Sequence, residues 1–174
     1  MKVMGLDTST KTGVSIIEFI DGEINITAEE IEFKKARGLD RCSMIAGAII
    51  TLMEEHKPDI TIIEGYGYGN AHTLVTLVEI GTVIRYFLKQ YEMPYIDVTP
   101  NTLKKFVTGK GNAGKEMIMM QVLKRWGYES ATNNIADAIG LGMLGGALYG
   151  QLTMPEISMG ALDPVRRAGI PTLK

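Results

Sequence analysis

Three carboxylates of this chain stand where they could do chemistry. Asp7 closes a short apolar run over residues 2–6, Glu64 closes another over 60–63, and Asp137 lies near the start of an apolar helical stretch over 133–149. If the two runs are neighbouring strands, Asp7 and Glu64 leave the sheet at the same edge. Carboxylates that close repel one another unless a cation sits between them. Hard oxygen ligands of this kind suit Mg2+ or Mn2+, which keep several waters and take few protein ligands. Taken singly, each acid is an ordinary strand-end or helix-start carboxylate, and Asp137 in a first helical turn would be favoured by the helix dipole. Their combination at three such places is what points to a metal site.

Phosphate chemistry is suggested by the distribution of charge. The net charge of -2 argues against a general nucleic-acid binder, yet residues 99–127 hold Lys104, Lys105, Lys110, Lys115, Lys124 and Arg125 against the single acid Glu116. Residues 1–98 hold nine Lys/Arg against fifteen Asp/Glu. A basic block on an acidic body is the pattern of a local phosphate-binding surface, or of a solvated helix pair kept soluble by lysine. Within it, residues 109–115 (GKGNAGK) have the glycine–lysine frame of a nucleotide-binding loop. Glu116 replaces the hydroxyl residue that would bind Mg2+, and no apolar strand precedes, so ATP binding is excluded there. Backbone N–H groups and lysines remain suited to DNA phosphate. The loop after Glu64 places Tyr66 and Tyr68 among glycines, as rings for base stacking or as plain turn residues. His56 and His72 are not at metal-ligand spacing, and the eleven methionines read as adaptable core filler.

Positioning these groups requires a sheet. The chain has 174 residues, 45% hydrophobic and 22% charged, which suits one globular domain with or without a tail and excludes wholesale disorder. Cys42 is the only cysteine, so no internal disulfide forms. A carboxylate at position 7 comes too early for a signal peptide, and a cytoplasmic protein is expected. Residues 2–6, 12–20 and 24–33 read as three antiparallel strands, with Asp21-Gly22 as a hairpin signal. A helix over 39–56 stops at Lys57-Pro58, followed by strand 60–63, helix 71–90, strand 95–98, and helices from Thr99, over 115–126 and over 133–149. Helix 71–90 is apolar on more than one face, and Glu79 and Arg85 argue against a membrane span. It needs cover on two sides, from its own domain or from a second subunit, and the subunit is preferred. Residues 151–174 hold three of the six prolines and no period, and read as a tail. The expected fold is α/β: a mixed five-stranded sheet, three antiparallel strands first, flanked by helices over residues 1–150.

The segment Gly5-Leu6-Asp7-Thr8-Ser9-Thr10-Lys11-Thr12-Gly13 resembles the first motif of the RuvC Holliday-junction resolvases, of the ribonuclease H-like superfamily. Ile62-Ile63-Glu64 resembles their second motif, residues 99–115 their basic segment, and Asn134-Ile135-Ala136-Asp137-Ala138 their closing acidic motif. The likeness runs in order over residues 1–150. It implies a metal-dependent endonuclease that hydrolyses phosphodiester bonds in branched DNA as a homodimer, for which the apolar faces of helix Ala71–Gln90 offer an interface in this chain. It places the metal-binding acids on Asp7, Glu64 and Asp137, the DNA-contacting lysines on Lys104 and Lys115, and DNA-wedging aromatics near Tyr66 and Tyr68. Lys105 and Lys110 extend the DNA-binding set. The family's fourth acid falls on Asn134, which keeps a carbonyl oxygen but loses a charge, so two Mg2+ or Mn2+ ions are expected only with DNA bound. A related RNA-processing nuclease and a non-catalytic junction-binding protein are the alternatives; an actin-like sugar kinase is the least favoured, because 174 residues leave no room for its second domain.

Overall fold

The computed structural model describes residues 1–66 and 71–173, the side chains of residues 71–73 excepted. Strands β1 (Lys2–Asp7), β2 (Lys11–Ile20), β3 (Glu23–Glu32), β4 (Ile60–Glu64) and β5 (Tyr95–Val98) form one sheet in the order β3-β2-β1-β4-β5. The first three strands are antiparallel, while β1–β4 and β4–β5 are parallel. This is the mixed sheet expected from the sequence. Asp21 and Gly22 take φ of 52° and 86°, the left-handed pair that a two-residue hairpin needs to match strand twist. That turn sets the β2–β3 register, which puts Glu30 opposite Gly13. Gly13 in turn faces Asp7. Asp7, Gly13 and Glu30 therefore form one row across the sheet.

Helices cover both faces. Helices α1 (Gly38–His56) and α2 (Ala71–Gln90) pack over Met4, Leu6, Val14, Ile16 and Ile63. On the opposite face, α3 (Pro100–Thr108), α4 (Lys115–Trp126) and α5 (Asn133–Leu148) pack over Val3, Ile17, Phe19, Ile60 and Ile62. Side chains alternate along a strand, so Asp7 and Glu64 project toward α5 with Val3 and Ile62.

The α5 backbone rides directly on the sheet. A Cβ added at Gly5 would lie 2.1 Å from the Ala138 carbonyl oxygen, and one at Gly13 would lie 2.0 Å from that of Asn134. Ser15 Oγ donates to the Ala138 carbonyl at 2.7 Å, which fixes the helix lengthwise. Small residues at Gly142, Gly145 and Gly146 take up Ile17, Ile62 and Phe19.

Beyond Gly150, the expected tail holds short helices α6 (Glu156–Met159) and α7 (Asp163–Ala168) around a 3-10 turn, Gly160–Leu162. Leu162 is fully buried against the core, with Ala161 and Val165 beside it. Elements of this length are too short to show a period in sequence. On α2, Ile80, Ile84 and Leu88 are buried, whereas Val75 and Tyr86 are 61% and 59% exposed. Among the described residues no helix is long and apolar enough to cross a membrane.

Gly13→Ala should destabilise the fold by about 3 kcal/mol, because the obstructing atoms are backbone. In a thermal melt that is a fall in Tm of about 6–12 °C for a chain of this size. Gly47→Ala, where nothing lies within 4 Å of the new methyl, should instead add about 0.5–1 kcal/mol. Equal effects of the two substitutions would contradict this packing.

Candidate active site

Leu6 pairs with Ile63 across the parallel β1–β4 ladder, so the next residues, Asp7 and Glu64, leave the sheet side by side. Thr132 caps α5, its hydroxyl oxygen accepting from the Ile135 N–H at 3.3 Å. Asn134 and Asp137, three residues apart, then share the helix face turned to Asp7. No acid occupies the first turn of α5. Asp137 follows that turn, so the helix dipole does not account for it, contrary to the expectation from sequence. Asp7, Glu64, Asn134 and Asp137 line one cavity of about 400 Å3, together with Thr8, Ser9, Tyr66, Lys104 and Lys115.

The cavity is electrostatically uncomfortable for its acids. Burial, then the charge of Glu64 and a hydrogen bond to it, hold the Asp7 carboxyl well above the usual carboxylate range. Glu64 is also raised, mainly by burial and by Asp137, while accepting from Asp7 moderates the rise. Asp137 is pushed up to about 7 by burial and then by Asp7. Lys104 and Lys115 pull the other way at Glu64 and Asp137, and Lys115 does so at Asp7. Repulsion persists despite them.

Three carboxylates and an amide oxygen in one cavity are a hard donor set, and their unbalanced charge fits a divalent cation. Among the described residues no three His, Cys, Asp or Glu groups lie close enough together to hold a metal ion by themselves. The donors line one cavity of about 400 Å3, with room between them for water and substrate oxygens as further ligands.

Of the residues singled out from the sequence, Asp7, Glu64, Asn134, Asp137, Lys104, Lys115 and Tyr66 come together here. Lys105 and Lys110 are exposed on and just after α3, outside the cavity lining. Tyr68 lies outside the described residues. Two residues escaped the sequence reading. Arg85 on α2 holds the loop after Glu64: Nη1 donates to the Tyr66 hydroxyl at 3.2 Å, Nη2 to the Glu64 carbonyl at 3.3 Å, and Nε to Asp97 at 3.0 Å. Its guanidinium also lies 4.9 Å from the centre of the Tyr66 ring. An arginine inside an apolar helix needs such acceptors, which was the available signal. Glu30 is the other: it accepts from Asn134 Nδ2 at 2.9 Å.

A family model described as "Crossover junction endodeoxyribonuclease RuvC" matches residues 3–144. The crossover junction endodeoxyribonuclease RuvC of Nocardia farcinica is 29% identical over 149 residues, covering 81% of this chain and 78% of that protein. That of Hydrogenovibrio crunogenus is 28% identical over 143 residues, covering 79% and 83% respectively. Among solved structures, Thermus thermophilus RuvC in complex with a Holliday junction substrate is similar at a TM-score of 0.73 and 16% identity, covering 87% of this chain and 95% of that one. The last shows likeness of fold.

Asp137 ionises near its ordinary value of 3.8 in the unfolded chain and at about 7 in the folded one. The unfolded state therefore sheds this proton first, and stability falls as pH rises between those values, with the penalty complete above 7. In chelator, Asp137→Asn should melt higher than wild type at about pH 8 and converge with it toward about pH 4. A lower Tm for the variant at the alkaline end would contradict the electrostatics described.

Proposed function

The chain belongs to the RuvC family of crossover junction endodeoxyribonucleases, hydrolases acting on DNA, and from that premise we propose that it cleaves Holliday junctions and other branched DNA in recombination, repair or DNA processing. The reaction is metal-dependent phosphodiester hydrolysis. The observation that carries this reading is the convergence of Asp7, Glu64 and Asp137 with Lys104 and Lys115 on one cavity.

Asp7, the most buried of the acids, would be the central metal ligand, and Glu64, Asp137 and the neutral oxygen of Asn134 would complete the set holding Mg2+ or Mn2+. Bound divalent ions supply an activated water and counter-charge for the leaving oxygen. Lys104 and Lys115 hold the scissile strand by its phosphates, which gives salt-sensitive affinity with little sequence information. Lys105 and Lys110, exposed beside them, extend this track. Tyr66, with Arg85 over one face of its ring, and Tyr68 stack on bases at the branch point. Asn134 leaves the cavity with less negative charge than a fourth acid would, so a second ion would need a DNA phosphate oxygen to be held firmly.

We assign the working form as a homodimer joined through α2. Val75, Val78 and Tyr86 recur at helical spacing on the side of α2 away from Ile80, Ile84 and Leu88, and all three are exposed. An isologous contact along that stripe pairs two active sites about a twofold axis, the symmetry that two nicks in a four-way junction require.

With Mn2+ and a synthetic four-way junction, Asp7→Asn should nick more slowly than wild type by at least about a hundredfold while still binding the junction. Binding without cleavage by the wild type, in Mg2+ as in Mn2+, would leave a junction-binding protein instead, and cleavage of RNA alone an RNA-processing nuclease. Lys104→Ala and Lys115→Ala should each lower the slope of log affinity against log salt by about 0.9 per lost phosphate contact. In light scattering, Val75→Glu should give a monomer where the wild type gives a dimer; an unchanged mass would move the interface elsewhere.

A further inference from the structure

The Asn134 side chain carries an oxygen at one end and an NH2 at the other, and only the oxygen is of use to a cation. Which end faces the cavity is decided by the partner of the other end. Nδ2 donates to Glu30 Oε2 at 2.9 Å, between two half-buried residues 104 positions apart in the chain. Glu30 Oε2 is the acceptor of this contact, so the amide offers it the NH2. Oδ1 is left without a hydrogen bond among the described residues, on a side chain that lines the cavity with Asp7, Glu64 and Asp137.

The fold builds this contact. Glu30 lies in the row Asp7–Gly13–Glu30 across β1, β2 and β3. Gly13, the middle member, has no side chain, and a Cβ there would meet the Asn134 carbonyl at 2.0 Å. The first turn of α5 thus sits on the gap between two acids and drops Asn134 between them. Glu30 is near enough for its charge to raise the proton affinity of Asp7, yet it does not line the cavity.

We propose that Glu30 is a positioning residue of the metal site, holding the Asn134 amide so that its oxygen, rather than its NH2, faces the carboxylates. The inference deepens the proposed function and rests on its metal site. An oxygen set beside carboxylates adds an acceptor to acceptors, an arrangement that a cation satisfies. With the amide turned over, the NH2 would donate to an acid that the cation needs and present a positive edge to the ion itself.

The test is Mn2+ binding to metal-free protein without DNA, followed by electron paramagnetic resonance, for wild type, Asp7→Asn, Glu30→Gln and the double variant Glu30→Gln/Asn134→Asp. The amide that Glu30→Gln introduces can donate to Oδ1 and let Asn134 turn over, so this variant should bind Mn2+ about tenfold more weakly. In the double variant the aspartate has oxygen at both ends and accepts from that new amide, so binding should return to wild-type strength or better. Metal-free Tm values separate this from a damaged fold, since a purely structural defect would not be repaired by Asn134→Asp. If Asp7→Asn loses Mn2+ and Glu30→Gln does not, the role of Glu30 is overturned while the metal site stands. If the double variant stays as weak as Glu30→Gln, Glu30 acts through its own charge, and the positioning role is again overturned. If neither Asp7→Asn nor Glu30→Gln changes binding, the metal site itself is wrong.

Discussion

Acidic side chains packed together out of water set the terms for this molecule. Asp7 is 8% exposed, and Glu64 and Asp137 share its cavity. Each is harder to ionise than usual, first through loss of water and then through one neighbour in the cavity: Glu64 acts on Asp7, Asp137 on Glu64, and Asp7 on Asp137. Such an arrangement lowers the stability of the metal-free fold above the acids' ordinary range. A chain keeps it where something gained on binding offsets that cost, and a divalent cation with DNA phosphate meets the requirement. Lys104 and Lys115 reduce the repulsion without neutralising it.

Holding the acids in place falls to a contact between one helix and the sheet. Gly5 and Gly13 remove the side chains that would separate α5 from β1 and β2, and the Ser15 hydroxyl ties the two together. The rigidity of that contact is what lets Asn134 and Asp137 be placed against residues more than a hundred positions away. The loop after Glu64 is held separately, by Arg85 reaching from α2 to Tyr66, to the Glu64 carbonyl and to Asp97 of β5. One side of the site therefore depends on α5 and the other on α2, the helix whose exposed stripe we assign to the dimer.

Much of this was legible in the chain itself. Strand ends, the Asp21-Gly22 hairpin and helix stops are local signals, and they located the sheet and the three acids within a residue or so of their places. The neighbouring of β1 and β4 was an inference from order that the parallel ladder matches. What stayed hidden depends on register or on distant pairing. Glu30 sits in an acid-rich strand that reads as a solvent face, and only the hairpin register brings it opposite Gly13. Arg85 reads as a stray charge until the β5 and Glu64 segments are folded against it. The helices beyond Gly150 have four and six residues, too few to display a period, though Leu162 and Val165 among them complete the core.

Asp7, Glu64 and Asp137 are proposed to hold divalent ions jointly. Anomalous diffraction from crystals of the protein grown with Mn2+ and a four-way junction observes this directly. The account requires manganese peaks bonded to all three carboxylates, with a phosphate oxygen of the junction in the same coordination sphere. Manganese bound elsewhere, or a junction seated on the protein with this cavity free of metal, would contradict it.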